Sequence, residues 1–324
     1  AAPSLDTRHP LPAAWISRVA RLMTQWEMAR EAGAKAVGLI TADTPPSDVL
    51  FAQAVYAEAD RQSDEAGERY RALARRFADE PLWLVELAAF QDRAGLPADA
   101  VSSYHALIAR DARMIRPHLE LCRLYNSTRM NESGLARQHG TQARDMYVAA
   151  GDRIGEGLAM LCLADILRVG SSDDRVEARK TAEGAKALFE RAGAQYNLAR
   201  AFHYMAVTRA REDPAGAIVE WEQSLAIAEK VKNTGLEATV LLNLGTANGE
   251  LGNRTQAVEY YRRTARANEA RGDEQGAAYY LANAGALTIA YGTRPDEGLR
   301  DAQNALAVAQ NIDKNFEAFC LLTI

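Results

Sequence analysis

The chain has 324 residues, a formal net charge of -5 and 22 glycines but only 10 prolines. Its alanine-rich composition, poor in β-branched residues, favours one elongated all-helical array over the two domains that this length would ordinarily suggest. The acidic balance and the lack of any Lys/Arg block argue against a nucleic-acid partner, because a phosphate backbone would be repelled.

The beginning of the chain and its cysteines bear on the compartment. Residues 1–12 lack the apolar core of a signal peptide and are predicted to be an N-terminal tail. No apolar run approaches the roughly twenty residues that span a bilayer, so we expect no membrane insertion. Cys122, Cys162 and Cys320 lie far apart and are odd in number, which predicts reduced, apolar side chains on helix faces. We expect a cytoplasmic protein, with a periplasmic or secreted location left open because the chain begins with Ala, as a processed or excised chain would.

The first half of the chain repeats every 34 residues. One small residue stands inside each of four apolar helical patterns, and we call it the small position: Ala20, Ala54, Ala88 and Cys122. A second helix keeps the same step, at Ala32, Ala66 and Ala100. The pattern predicts four helix pairs within residues 13–150, over 13–42, 47–78, 82–113 and 116–150.

Beyond residue 150 the same block recurs at about 40 residues. The turns between units are marked by residue pairs at 151–152, 193–194, 232–233, 272–273 and 312–313. The small position continues as Ala164, Ala206, Gly245 and Gly285. Four longer pairs are predicted within residues 151–313, over 154–192, 196–231, 236–271 and 276–310. Residues 314–324, "KNFEAFCLLTI", are typical of the first helix of a further or truncated repeat.

The residues around Gly245 resemble a known repeat. Leu241-x2-Leu244-Gly245-x2-Asn248, followed by Ala257-x3-Tyr261, resembles the tetratricopeptide repeat, and the longer units are similar to the kinesin light chain and LGN-type subclass. The resemblance implies an all-α, right-handed α-solenoid of about eight antiparallel helix pairs. Asn248 and Gly140 depart from the pattern, since an aromatic residue is usual at both positions. A small residue allows neighbouring helices to approach closely, which offsets the roughly 1 kcal/mol that glycine costs a helix relative to alanine.

Catalytic motifs are absent from the sequence. It contains no GxGxxG, P-loop, HExxH or GxSxG pattern. The five histidines are scattered along the chain without metal-ligand spacing: His9, His105, His118, His139 and His203. We therefore predict no enzymatic activity, no cofactor and no metal site.

The repeats predict a binding groove instead. Stacked helix pairs form a concave surface lined mainly by their first helices. We call the residue two before each small position the lining position; it is Asn243 and Asn283 in the last two full units. The family resemblance implies that these asparagines face the groove and hold the backbone of an extended peptide. The alternative is that they are polar residues on a hydrated helix face. Earlier units carry Ala52, Glu86, Glu120, Cys162 and Tyr204 at this position.

The same register places further candidate residues on the groove. The basic ones are Arg116, Arg123, Arg168, Arg200 and His203. Tyr204 and Tyr279 would supply stacking, and Thr246 a hydroxyl. Arginine pairs with carboxylates and phosphates, so an acidic peptide, a free C-terminus or a phosphopeptide is the predicted ligand. The alternative is ordinary arginines paired with neighbouring glutamates.

These observations predict a non-catalytic protein–protein interaction scaffold that binds a peptide segment of a partner in its concave groove. One alternative is the sensor or regulatory region of a larger bacterial signalling protein, such as a kinase, cyclase or transcription regulator. Another is a structural array that forms homo-oligomers through the C-terminal helix.

Overall fold

A computed structural model describes residues 8–23, 25–292, 294–310 and 314–323. These residues form helices and turns, and the chain divides into two compact units, 1–166 and 167–324. The first unit holds α1 Pro10–Leu22, α2 Trp26–Gly38, α3 Pro46–Ala59, α4 Ser63–Arg76, α5 Pro81–Arg93, α6 Pro97–Arg110, α7 Arg116–Tyr125, α8 Ser133–Ala150 and all but the last residue of α9 Arg153–Leu167. The second unit holds α10 Ser172–Ala192, α11 Gln195–Arg209, α12 Pro214–Lys230, α13 Thr234–Glu250, α14 Arg254–Ala270, α15 Glu274–Tyr291, α16 Pro295–Ala309 and α17 Lys314–Thr323.

The described helices confirm the predicted fold class. The first sixteen follow one another as eight pairs, and α17 comes after the last pair. Prolines stand in the first turns of several helices, as at Pro46, Pro81 and Pro214, where a missing N–H costs nothing. The predicted change of repeat length at residue 150 stays a prediction. Of the predicted tail, residues 1–7 lie outside the described residues, as does the turn at 312–313.

Seven of the described turns that follow helices share one backbone conformation. A residue with positive φ follows α5, α8, α10, α13 and α14, and it is glycine each time, with φ between 64° and 79°. Arg61 and Lys232 occupy the equivalent place after α3 and α12, with φ of 61° and 56°. A left-handed residue at this place satisfies the last carbonyls of the helix and turns the chain back. The predicted turn marks at 151, 193, 232 and 272 coincide with such residues.

The small positions are buried packing notches, as predicted. Ala54, Ala88 and Ala206 are fully buried. A Cβ on Gly245 would lie 2.9 Å from Cε1 of Tyr261, and one on Gly285 would lie 2.7 Å from the Gly298 carbonyl oxygen. These distances are below ordinary van der Waals contact, so the helices approach closely because the side chain is missing.

The predicted state of two cysteines is wrong. Cys122 of α7 and Cys162 of α9 form a disulfide, whereas Cys320 keeps a thiol whose pKa is raised by burial. Their separation of 40 residues in the sequence hides the pairing, because the repeat brings the first helices of consecutive pairs side by side. Gly140 departs from the aromatic pattern for a related reason: a Cβ there would lie 2.8 Å from Sγ of Cys122.

Three histidines that were expected to stand apart come together in the first unit. Nδ1 of His118 lies 2.9 Å from Nδ1 of His139, and the His105 and His139 rings are 5.5 Å apart. The Tyr125 ring stacks on the His139 ring, and the Tyr125 hydroxyl lies 3.1 Å from Nε2 of His105. The reason is that α7 packs against both α8 of its own pair and α6 of the preceding pair, so that side chains from all three helices meet. Within the described residues no group of three or more His, Cys, Asp or Glu side chains could hold a metal ion.

Candidate functional site

The lining position differs between the two units. In the first unit it is buried, with exposed fractions of 0% for Ala52 and 7% for both Glu86 and Glu120. Cys162 is also 7% exposed and is held in the disulfide. In the second unit Tyr204, Asn243 and Asn283 are all half-buried. An extended ligand can therefore reach this position in the second unit, whereas neighbouring side chains cover it in the first.

Arg116 and Arg123 share one carboxylate in the first unit. Nε of Arg116 lies 2.6 Å from Oε1 of Glu120, and Nη1 of Arg123 lies 2.9 Å from Oε2. The charge of Glu120 raises the pKa of Arg116. Both arginines are more than half exposed, at 66% and 57% of their side chains. This arrangement agrees with the alternative of ordinary arginines paired with a neighbouring glutamate, because one of the two positive charges is already neutralised.

A buried charge network in the first unit was not foreseen from the sequence. Glu58 accepts two hydrogen bonds from Arg93, at 2.7 and 2.9 Å, and one from the Tyr70 hydroxyl at 3.0 Å. Burial alone would raise the pKa of Glu58, but the hydrogen bonds and charge of Arg93 bring it below its usual value. Nε of Arg18 donates to Glu86 at 2.5 Å. Since these groups bind one another, they leave little capacity for a ligand.

The second unit brings Arg168, Arg200, His203 and Tyr204 together. Burial and the charges of Arg200 and Arg168 lower the pKa of His203 to about 4, so its imidazole is neutral at pH 7. Nδ1 of His203 is buried and has no hydrogen-bond partner among the described residues. The Tyr204 ring meets the His203 ring edge-on at 5.5 Å. The Arg200 guanidinium lies 5.9 Å from the centre of the Tyr196 ring. We call these four residues, Arg168, Arg200, His203 and Tyr204, the basic cluster.

Asn243 and Asn283 adopt the same geometry on two successive first helices. Nδ2 of Asn243 donates to the Thr239 carbonyl at 2.9 Å, and Nδ2 of Asn283 donates to the Tyr279 carbonyl at 2.8 Å. Each bond returns to the residue four places earlier, which holds the amide against its own helix. An amide has two N–H donors and an acceptor oxygen, so each asparagine retains hydrogen-bonding capacity towards solvent.

Two other predicted residues have local partners. Oγ1 of Thr246 donates to the Leu242 carbonyl at 3.1 Å and lies 3.4 Å from the Tyr261 hydroxyl. Tyr279 stacks on Phe319 with ring centres 5.4 Å apart, yet it is 45% exposed. Tyr279 therefore belongs to an aromatic contact between α15 and α17 that still presents one part of the ring to solvent.

The described helices offer no membrane segment, because none is long and apolar enough to cross a bilayer. No protein-family model matches the sequence, and no curated protein matches it either.

Comparison with solved structures gives extensive matches at low identity. A Signal Transduction ATPase with Numerous Domains from Pyrococcus horikoshii, which carries a tetratricopeptide repeat sensor, matches with a TM-score of 0.65 and 14% identity over 91% of this chain and 49% of that one. Cut9-Hcn1 of the APC/C matches with a TM-score of 0.60 and 13% identity over 95% of this chain and 54% of that one. The chain thus spans about half the length of both proteins.

A Rap protein complexed with Competence and Sporulation Factor matches over nearly its whole length. Its TM-score is 0.60 at 11% identity, and the match covers 97% of this chain and 95% of that one. At such identities the likeness concerns the fold. Together with the eight helix pairs and their buried small positions, these matches show an all-α helical-repeat solenoid, a fold that this chain shares with tetratricopeptide repeat structures.

Proposed function

We propose that this chain is a non-catalytic protein–protein interaction scaffold that binds an extended peptide segment of a partner on the first helices of its second unit. The observation that carries the proposal is the contrast in the lining position. It is buried in the first unit but half-buried and polar at Asn243 and Asn283 in the second.

The two asparagines suit a peptide backbone. Each is oriented by a bond to its own helix, so little side-chain freedom is lost when a ligand binds. The remaining amide groups pair with the N–H and C=O of a peptide unit without demanding a particular side chain. This chemistry predicts binding that tolerates variation in the ligand sequence at these contacts.

The basic cluster adds a preference for negative charge. Arg200 and Arg168 lie close enough to His203 for their charges to lower its pKa, and the neutral imidazole adds no charge at pH 7. Arginines form strong, often bidentate hydrogen bonds with carboxylates. We therefore propose that the peptide is acidic, or ends in a free carboxylate, where it meets Arg168, Arg200 and His203. Thr246 and the exposed part of Tyr279 would contact the same peptide further along.

The experiment is a selection of peptides from a random display library, followed by fluorescence anisotropy on the recovered sequences. We expect acidic peptides whose affinity falls as salt is added, because exposed charges are screened. The Asn243→Ala, Asn283→Ala double variant should bind the recovered peptides more weakly by about 1 to 3 kcal/mol, on the order of 5- to 150-fold in affinity. Asn304→Ala on α16 is the matched control, since Asn304 is an exposed asparagine on a second helix.

The outcome that contradicts the proposal is equally definite. If the double variant keeps its circular dichroism spectrum and binds every recovered peptide as the wild type does, the lining position is not the binding site. If Arg200→Ala lowers the affinity for the peptides and the double asparagine variant does not, the basic cluster binds them and the asparagines are hydrated surface residues.

A second candidate function is the sensor region of a larger signalling protein. It is favoured by the match to a tetratricopeptide repeat sensor in a signal-transduction ATPase of about twice this length. Recovery of the full reading frame tests it, because an adjoining catalytic or DNA-binding domain would be visible in the sequence. The two functions are compatible, since a sensor also binds a ligand.

Self-assembly through α17 stays a prediction. Leu321 and Leu322 on this helix are 55% and 87% exposed. Light scattering tests the idea: the measured mass should rise with concentration, and Leu322→Glu should abolish that rise. A mass that is constant at all concentrations would reject it.

A further inference from the structure

The disulfide joins two first helices that belong to consecutive repeats. Cys122 lies on α7 and Cys162 on α9, and their exposed fractions are 0% and 7%. A second contact crosses the same interface: Nδ2 of Asn126, just after α7, donates to Oδ2 of Asp165 on α9 at 2.7 Å. The covalent bond therefore reinforces an interface that the helix packing already forms.

Gly140 independently indicates that the local packing is adapted to the disulfide. A Cβ at Gly140 would lie 2.8 Å from Sγ of Cys122 and 2.9 Å from Cδ2 of Leu163. The corresponding residues of the two preceding repeats are buried aromatics, Tyr70 and Tyr104. An aromatic ring at position 140 would occupy the space beside the disulfide. The residue types at positions 122, 140 and 162 therefore fit one another.

The helix that carries Cys122 is the shortest of the eight pairs, although most of its residues are buried. α7 has 10 residues, whereas the other fifteen helices of the eight pairs have 13 to 21. A helix of this length is marginal in water and depends on tertiary contacts. The irregular segment that follows α7 includes Asn131 in the left-handed conformation, with a φ of 51°. Loss of a covalent link should thus be felt first in α7.

We propose that the Cys122–Cys162 disulfide is a redox-controlled clasp that holds α7 to α9 while oxidised and allows α7 to open locally when a dithiol reduces it. In the reduction step, one thiolate of the dithiol attacks a cysteine sulfur and forms a mixed disulfide, and the first protein thiolate leaves. The second thiol of the reductant then displaces the other cysteine. Two electrons and two protons pass to the protein sulfurs, and the dithiol becomes a cyclic disulfide.

The clasp has consequences for location and for regulation. The oxidised form belongs to an oxidising compartment or to an episode of oxidation, since cytosolic reductants keep ordinary thiols reduced. Reduction leaves two thiols beside Gly140, and without the covalent bond α7 opens more often. The opening stays local, because the Asn126–Asp165 hydrogen bond and the packing of the other repeats of the first unit are kept. This proposal does not depend on peptide binding by the second unit.

The first test counts thiols in the wild-type chain. After incubation with oxidised glutathione, denaturation and alkylation with iodoacetamide, intact mass should show one modified cysteine, Cys320. After treatment with dithiothreitol it should show three. The Cys320→Ser variant should give none and two, which assigns the single thiol. Three modified cysteines without any reductant would overturn the proposal.

The second test measures hydrogen exchange in the oxidised and reduced wild-type chains at one pH. Amides of α7 should exchange at least about tenfold faster in the reduced form, because local opening no longer works against the covalent link. Amides of α3 serve as the internal control and should be unchanged. The Cys122→Ser, Cys162→Ser double variant should match the reduced form under both conditions. Equal exchange of α7 in the two wild-type forms would also overturn the proposal.

Discussion

The buried histidine pair predicts a specific loss of stability in mild acid. His139 is 7% exposed, and burial together with the charges of His118 and His105 lowers its pKa from 6.5 to about 4. The unfolded chain therefore binds a proton between pH 6.5 and 4 that the folded chain does not. The contribution of His139 to stability is complete above about pH 6.5 and is lost as the pH falls towards 4.

The size of the effect follows from the two pKa values. At pH 4.5 the loss of folding free energy amounts to about 2 to 3 kcal/mol for one histidine whose pKa shifts from 6.5 to about 4. His118, whose pKa burial also lowers, acts in the same direction. The His118–His139 hydrogen bond itself requires that at least one Nδ1 carries no proton.

Urea unfolding at pH 7.0, 5.5 and 4.5, followed by far-ultraviolet circular dichroism, measures this loss. The perturbation is His139→Gln, which keeps a hydrogen-bonding side chain but cannot titrate. Between pH 7.0 and 4.5 the variant should lose about 2 to 3 kcal/mol less stability than the wild type. His9→Gln is the control, because His9 lies outside the cluster and caps α1. If wild type and His139→Gln lose the same free energy over this range, the reasoning is refuted.

The remaining predictions concern substitutions to and from glycine. Lys232 adopts a φ of 56° where five equivalent turns use glycine, so Lys232→Gly should stabilise the chain by about 1 kcal/mol in a urea titration; lower stability would contradict the strain argument. Gly249→Ala should be neutral or stabilising by up to about 1 kcal/mol, because the nearest atom to a new Cβ is 3.9 Å away. Gly285→Ala should instead destabilise by about 1 to 3 kcal/mol, since its Cβ would meet the backbone of Gly298. Equal effects of these two substitutions would show that helix propensity, and not the packing notch, decides the outcome.

Much of the fold was accessible from periodicity. The spacing of Ala20, Ala54 and Ala88 predicted helix pairs whose observed bounds differ by only a few residues, and the turn residues at 151, 193, 232 and 272 were located correctly. A repeat pattern is a local signal, since each helix shows its buried face and its terminating residue within its own sequence.

The candidate site was predicted less completely. The register placed Arg200 with His203 and Tyr204, which lie three and four residues further along the same helix and so on the same side as Arg200. It could not tell that Glu120 neutralises part of the charge of Arg116 and Arg123, or that the lining position is covered in the first unit. Burial at a given register depends on the size and charge of side chains from neighbouring repeats, which the pattern of a single helix does not contain.

By itself, the sequence determined the helical repeat, its small packing positions, the turns and the all-α solenoid class. Only the tertiary structure decided that Cys122 bonds Cys162, that Glu58 binds Arg93, and that His118 meets His139. The physical reason is the range of the interactions. Helix formation and amphipathic burial act within one helix, whereas a disulfide, a buried ion pair or a shared proton requires two side chains from different helices to meet within a few ångströms.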